Sequence, residues 1–445
     1  MTRIYEPYAY GDGPVAESYW PGTVSARASW SRLDGEARTD IAIIGGGYTG
    51  LMAALHLAET GADVALLETN SPGWGASGRN GGFCCLGGSA LDATDLLKRH
   101  GEAETRLYYD AEREAVALVR DTLTRLGIDA DTHSRGETML AHRAEAIPAL
   151  KAAARHMRAY HGATCEILSR GELAAQGMAS PEFHGAVTTP IGFALNPLKY
   201  ALGLAAAAEA AGAHLFAQSP ARSIRPDGSG WRIQTPTGTL TARKLILATN
   251  GYSAEDLPPW LAARYMPLQS NIIVTRPLSE EERAEQGWTT RQMCFDSRNL
   301  LHYFRLLPDN RMLFGMRGAI RSTPDAMAEI RGRTRTDFER FFPAWKRVET
   351  THFWSGFVAL SRDRTPFVGP IPGMDGVFAG LCFHGNGVAM GSHAGAILAE
   401  LALGQTPSRP WPELMARALK RFPFGRFRRF LLRPVLAARA RRDEG

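Results

Sequence analysis

Two groups of residues carry chemistry. The first is Gly45-Gly46-Gly47-Tyr48-Thr49-Gly50, which follows the apolar Ile41, Ile43 and Ile44 and precedes a helical stretch and Val64-Ala65-Leu66-Leu67-Glu68. A buried strand, a Gly-x-Gly-x-x-Gly turn, a helix and a second strand ending in an acid form one βαβ unit. Gly45 permits the tight turn, Gly47 lets N–H groups approach a pyrophosphate at the positive end of the helix dipole, and Gly50 lets helix and strand pack closely. Glu68, 23 residues beyond Gly45, accepts hydrogen bonds from ribose hydroxyls. A glycine-rich surface turn is the alternative, and the strand, helix and acid together argue against it. The second group is His302-Tyr303-Phe304-Arg305. Strand side chains alternate, so Tyr303 and Arg305 share one face, and Arg305 there anchors a substrate carboxylate in bidentate fashion unless it belongs to a surface ladder. Arg317, near the end of the next strand, is a second anchor candidate.

Several segments must position these groups. Residues 1–38 hold aromatics, Gly and Pro without period and predict an extended arm. Residues 72–83 contain five glycines in twelve positions together with Trp74, Arg79 and Phe83, the mark of a backbone passing close to something flat or phosphorylated rather than of a linker. Residues 92–126 have helical spacing and end at Gly127; 147–160 and 197–211 predict two more helices. Strands are expected over 136–141, 223–225, 230–235, 238–242 and 244–251, the last apolar throughout and so buried in a parallel sheet. Alternation over 266–276 and 300–316 suggests a separate antiparallel sheet, and Trp354, ahead of a turn at Gly356, reads as core. Val377 to Cys382, the turn His384-Gly385-Asn386-Gly387 and a helix over 388–403 repeat the strand, Gly turn and helix order, and aim another set of N–H groups at the cofactor.

At 445 residues, 44% apolar and 22% charged, the chain has the composition of an ordinary globular protein with two or three domain-sized units. The N-terminus has no apolar signal core, which predicts a cytoplasmic protein. Five cysteines without C-x-x-C or zinc spacing predict reduced thiols and no metal site. From Arg409 onward, eleven basic residues stand against three acidic ones, so the tail carries +8 of a net +6 and the rest is −2. Charge therefore argues against nucleic acid as a partner of the body. Trp411, Leu414, Met415, Ala418, Leu419 and Phe422 recur at helical spacing in that tail, which either lies on an anionic membrane or docks on the domain it follows.

Gly45 to Leu51, Gly75-Ala76-Ser77-Gly78-Arg79-Asn80-Gly81-Gly82, Ala248-Thr249-Asn250-Gly251-Tyr252, Tyr303 to Arg305, Arg362 to Pro366 and the final strand, turn and helix together resemble the D-amino acid oxidase-like family of FAD-dependent amine oxidoreductases, over about residues 17–405. The second and third pieces look most like its γ-glutamylputrescine oxidase branch. The resemblance implies a two-domain α/β (α+β) protein, with a Rossmann-like FAD-binding domain (39–90, 197–260 and 352–405) and a discontinuous antiparallel-sheet substrate domain with a helical insert (91–196 and 261–351), followed by the basic tail, 406–445. It implies that the first loop holds the ADP and Ser77 to Gly82 run along the ribityl chain and isoalloxazine. It also implies that His384 to Val388, including Gly385, Asn386 and Gly387, face the pyrimidine end, where His384 either orients substrate or donates to the flavin, the alternative being a histidine that is simply packed.

Sarcosine oxidases of this family tether flavin through a cysteine in the region matching 360–366, where this chain has none, so a noncovalent FAD is expected. They also use a lysine on the substrate sheet to activate oxygen, and this chain has no lysine between 262 and 330. The acceptor is thus O2 or a quinone. The implied reaction oxidises a C–N bond of an amine or amino acid, γ-glutamylputrescine among them, by hydride transfer to flavin N5, and the imine hydrolyses to an aldehyde or ketone. Hydride loss requires a neutral amine, favoured by desolvation and nearby positive charge rather than by a carboxylate partner. The rival readings are a membrane-associated dehydrogenase passing electrons to quinone and, outside enzymes, a flavin-binding RNA-associated factor.

Overall fold

The computed structural model describes residues 1–25 and 29–444; residues 26–28 of the expected arm and Gly445 of the tail lie outside the described residues. Two sheets organise the chain. In the first, strands run in the order Phe367–Pro370, Val377–Leu381, Gly238–Leu247, Gly35–Ile44, Val64–Leu67, His214–Phe216. All neighbours are parallel except the first pair, and the hairpin Ser223–Asp227/Gly230–Gln234 adds to Gly238–Leu247. The two strands expected over 238–251 are therefore one strand, ending at Leu247. Leu245 and Ile246 are fully buried because both faces are covered, the Ile246 face by helices and the Leu245 face by Trp231 and Ile233 of the hairpin together with Leu261 and Tyr265, which is why this run is apolar without alternation.

The helix Tyr48–Glu59 packs against Ala389–Leu403 so closely that a Cβ on Gly395 would collide with the Thr49 carbonyl. The long helix Ala93–Leu126 is capped by Asp92, whose side chain accepts from Asp95 N at 2.8 Å, and by Gly127 at φ 62°. Its Tyr108, Ala115 and Val119 share a core with Leu51, Leu55 and Ile397. The helical insert expected on the substrate side thus packs on the nucleotide side.

The second sheet has the order Thr350–Leu360, Met266–Thr275, Met312–Ala319, His302–Leu306, Met293–Asp296, Glu137–Leu140, Gly185–Thr189, Glu166–Ser169. It is mixed rather than antiparallel, since Met293–Asp296 and Glu137–Leu140 run parallel. Thr350–Leu360 pairs with Met266–Thr275 from end to end, so Gly356 lies mid-strand, not in a turn, and residues 352–360 belong to this sheet rather than to the nucleotide domain. Trp354 is fully buried beside Trp20 and Leu313.

The tail divides in two. Only Glu413–Ala416 is helical among residues 409–424. Leu414, Met415 and Leu419 are each below 5% exposed and dock on the body, in place of the continuous amphipathic helix that their spacing suggested. Arg428 is buried on Glu255 at 2.6 Å, yet Phe424, Phe427 and Phe430 are 70%, 54% and 69% exposed.

Candidate active site

Two adjoining cavities lie between the sheets. The nucleotide cavity offers about 1220 Å³ of atom-free space including its open mouth, and the Gly45 turn, Glu68, Ser77 and the 248–250 turn line it. Gly45 has φ 113°, and a Cβ there would sit 2.7 Å from the Ala248 carbonyl, so only glycine lets the turn fit under the end of the neighbouring strand. Gly47 is the N-cap of Tyr48–Glu59 without a side-chain cap, which leaves helix N–H groups free for an anion. Tyr48 N donates to Ser77 Oγ at 2.9 Å, joining the two glycine loops, and Glu68 Oε2 accepts from Gly46 N at 2.6 Å. Burial holds the Glu68 carboxyl above its ordinary pKa, while the N–H groups of Asn70 and Gly46 pull it back.

Thr49, Ala76, Asn80, Ala248, Thr249, Asn250, Gly385, Gly387 and Val388 also face this cavity. The remaining expected cofactor residues support its walls. Gly50 and Gly78 lie against the carbonyls of Gly45 and Gly73, Gly82 against Leu195 O, and Gly251 against Phe357. Arg79 is 2% exposed, donates to Trp74 O at 2.9 Å and Ser355 O at 3.2 Å, and stacks 4.3 Å from the Trp74 ring. Asn80 Nδ2 donates to the carbonyls of Ala76 and Ser77, and its Oδ1 accepts from Gly82 N at 2.7 Å, which fixes the glycine-rich loop. Arg3 and Tyr10 of the arm join the lining, a contribution with no local sequence signal.

The second cavity shares Ala76, Asn80, Phe357, Val358, Gly385 and Val388 with the first. Its other walls include Arg79, Gly81, Phe83, Glu137, Tyr303, Arg317 and Asn386. Tyr303 meets Ser270 Oγ at 2.8 Å, and its ring leans over Gly81, where a Cβ would come within 2.8 Å. Arg317 donates to His384 O at 3.4 Å, has no acidic partner among the described residues, and burial lowers its pKa.

The structure gives Arg305 and His384 partners other than those expected. Arg305 shares the Tyr303 face, but the loop covers it: Nε donates to Gly81 O at 2.9 Å, Nη2 to Leu195 O at 2.7 Å, and Nη1 meets His133 Nε2 at 2.7 Å. Its far side meets a separate cleft with His133, Arg311 and His352. These bonds tie Arg305 to the loop, and it does not line the second cavity, where a carboxylate anchor was expected. His384 is 5% exposed and engaged at both nitrogens: Nδ1 contacts Gly88 O at 2.9 Å, and Nε2 accepts from Ser361 N at 3.1 Å. Those partners fix a neutral tautomer, burial brings its pKa to about 4, and the ring has no donor left for substrate or flavin. Glu137, which sequence reasoning missed, lines the second cavity.

The sequence profile described as DAO, FAD dependent oxidoreductase, matches residues 40–401. The chain belongs to this family. The DAO chain is 32% identical over 427 residues to a probable oxidoreductase OrdL of Rhizobium meliloti (strain 1021), covering 96% of this chain and 97% of that one. It is 29% identical over 388 residues to the gamma-glutamylputrescine oxidoreductase of Escherichia coli (strain K12), covering 87% and 89%. The glycine oxidase structure from Geobacillus kaustophilus superposes with TM-score 0.69 over 84% of this chain and 96% of that one at 23% identity, which shows a shared fold. This DAO protein is therefore an FAD-dependent oxidoreductase of amine or amino acid C–N bonds. The uncapped helix N-terminus, the paired glycine loops and the half-buried Glu68 suit the pyrophosphate and ribose of FAD. No helix of the described residues is long and apolar enough to cross a membrane, no group of three metal-ligating side chains occurs among them, and all five cysteines are free thiols.

Proposed function

We propose that the protein oxidises an amine that also bears a carboxylate. The observation that carries this reading is Arg317: a half-buried guanidinium without an acidic partner among the described residues, in a cavity that opens onto the nucleotide cavity. Arg317 holds the carboxylate in bidentate fashion. Tyr303, tethered by Ser270, orients the substrate, and Phe83, Ile272 and Val358 exclude water. Desolvation and the positive charges of Arg79 and Arg317 disfavour the ammonium form, leaving the nitrogen lone pair that forms the C=N bond as hydride departs. FAD, when bound, supplies the hydride acceptor at N5. Water then converts the imine to a carbonyl compound and ammonia or a smaller amine. The E. coli relative supports γ-glutamylputrescine or a related amine as substrate. The flavin is held noncovalently, since residues 360–366 contain no cysteine.

The test is anaerobic addition of γ-glutamylputrescine, glycine, sarcosine and simple diamines to the purified yellow protein, followed by admission of air. Bleaching by at least one carboxylate-bearing amine is expected. If only amines without a carboxylate bleach the flavin, Arg317 is not the anchor. If none does, the reading fails.

A second reading concerns the acceptor. Phe424, Phe427 and Phe430 protrude beside the exposed Arg421, Arg426 and Arg433, an arrangement suited to an anionic lipid surface, where a quinone would be at hand. Sedimentation with phosphatidylglycerol vesicles, with the three phenylalanines changed to serine as control, tests it. Slow reoxidation by air and fast reoxidation by a soluble quinone are expected. Rapid reoxidation by air and no vesicle binding overturn it.

A further inference from the structure

Glu137 stands in the substrate cavity without a cation beside it among the described residues. Isolated carboxylates in desolvated cavities are costly, and they concentrate where a ligand supplies the missing charge. Its position relative to Arg317 follows from the register of the second sheet. Glu137 opposes Met293, Phe295 opposes Tyr303, and Tyr303 opposes Gly315. Glu137 and Arg317 are thus three strand spacings apart, about 14 Å. They also lie on opposite sides of the row through Tyr303 and Gly315, each two residues from it, which adds about 13 Å along the strands. Both side chains line the one cavity, yet they form no ion pair, and neither perturbs the other's ionisation. An α-amino group is one carbon from its carboxylate, so an amino acid held at Arg317 does not bring its own α-nitrogen to Glu137. Only a longer molecule reaches both.

We propose that Glu137 receives a second, cationic nitrogen of the substrate, so that the site selects a two-ended compound: a carboxylate at Arg317 and, several bonds away, an ammonium at Glu137 that is not the nitrogen oxidised. The oxidised nitrogen must be neutral to release hydride, whereas a nitrogen facing a carboxylate stays protonated. The two tasks therefore fall to different atoms, and the substrate class is a diamine conjugate or diamino acid carrying one carboxylate. Burial raises the Glu137 carboxyl to about 7, with some opposing help from the Cys85 thiol. The titratable groups facing it are the thiols of Cys84, Cys85 and Cys294, all pushed up by burial. An arriving ammonium supplies the charge that holds the carboxylate ionised.

This inference rests on reading the cavity as the amine site, so its test separates the two. Binding is followed anaerobically through the visible spectrum of the bound flavin, using ligand pairs that differ only by the amino group far from the carboxylate: lysine against norleucine, and γ-glutamylputrescine against γ-glutamylbutylamide. In at least one pair the two-nitrogen compound is expected to bind roughly 10- to 100-fold more tightly. Glu137→Gln should erase that ratio, and in the wild type the ratio should grow as pH rises through 7. Equal binding within every pair, or an equal loss across the whole panel in Glu137→Gln, overturns the proposal. Oxidation of the panel without such preference sinks this inference alone. Preferential binding without bleaching supports it and sinks the amine-oxidation reading, and an absence of both binding and bleaching removes both.

Discussion

Arg317 Nη2 donates to the carbonyl of His384 at 3.4 Å, so the strand Met312–Ala319 of the second sheet reaches the glycine turn that follows Val377–Leu381 of the first. A Cβ on Gly385 would overlap the same guanidinium. The bond uses one N–H and leaves the rest of the fork in the cavity, which is how one residue both joins the sheets and lines the second cavity.

Replacing Arg317 by methionine keeps the volume and removes the fork. KM for carboxylate-bearing substrates should rise roughly 10- to 100-fold, with a smaller change in kcat. Lysine should restore only part, because a point charge does not reproduce bidentate geometry. Steady-state kinetics decide, and equal losses for amines lacking a carboxylate would contradict the assignment.

Arg305→Leu should behave differently. Removing the clamp leaves the carbonyls of Gly81 and Leu195 without their donor, at a cost of about 2–4 kcal/mol. The expected signature is lower resistance to urea and poorer flavin retention, rather than a selective rise in KM. A KM effect confined to carboxylate substrates would return Arg305 to the list of anchors.

Glu68→Gln keeps the size of the side chain but removes the charge that faces Gly46 N and the ribose side of the cavity. FAD affinity should fall roughly 10- to 100-fold, read by fluorescence titration of the apoprotein. Acid precipitation of the wild type should leave all the yellow colour in the supernatant, as a noncovalent flavin requires. Colour retained in the pellet would reveal a covalent link.

Glu112 and His161, 3.5 Å apart and buried, make stability depend on pH. Burial raises Glu112 from 4.5 to about 8, so its contribution is full below 4.5 and is lost as pH rises through about 8. Burial lowers His161 from 6.5 to about 4, so its contribution is full above 6.5 and is lost as pH falls through about 4. The two trends oppose each other between 4.5 and 6.5 and leave a net decline from 6.5 to about 8. Glu112→Gln should flatten that decline in thermal melts. An unchanged slope would show that the carboxyl is not held protonated.

The nucleotide-binding half was legible in the sequence because its signals are local. A strand, a turn that only glycine fits, a helix and an acid follow one another within 34 residues, Gly35 to Glu68, and each reports on its immediate neighbours. Helix ends were equally plain, since Asp92 and Gly127 act within one turn. Strand alternation placed Tyr303 and Arg305 on one face.

Tertiary structure alone decided which of them lines the second cavity. The 81–82 loop covers Arg305 and packs against the Tyr303 ring while leaving Tyr303 in the wall of the cavity, and chain order says nothing about where a loop 224 residues earlier will rest. The same applies to Glu137, which joins Arg317 in one cavity only because two parallel strands pair across a long connection. It also applies to residues 93–126 and 352–360, whose sides were set by what their apolar faces found to cover them. Local sequence specifies conformation through backbone sterics and hydrogen bonding, whereas the assignment of polar groups to a shared cavity depends on non-local packing, which no single segment encodes.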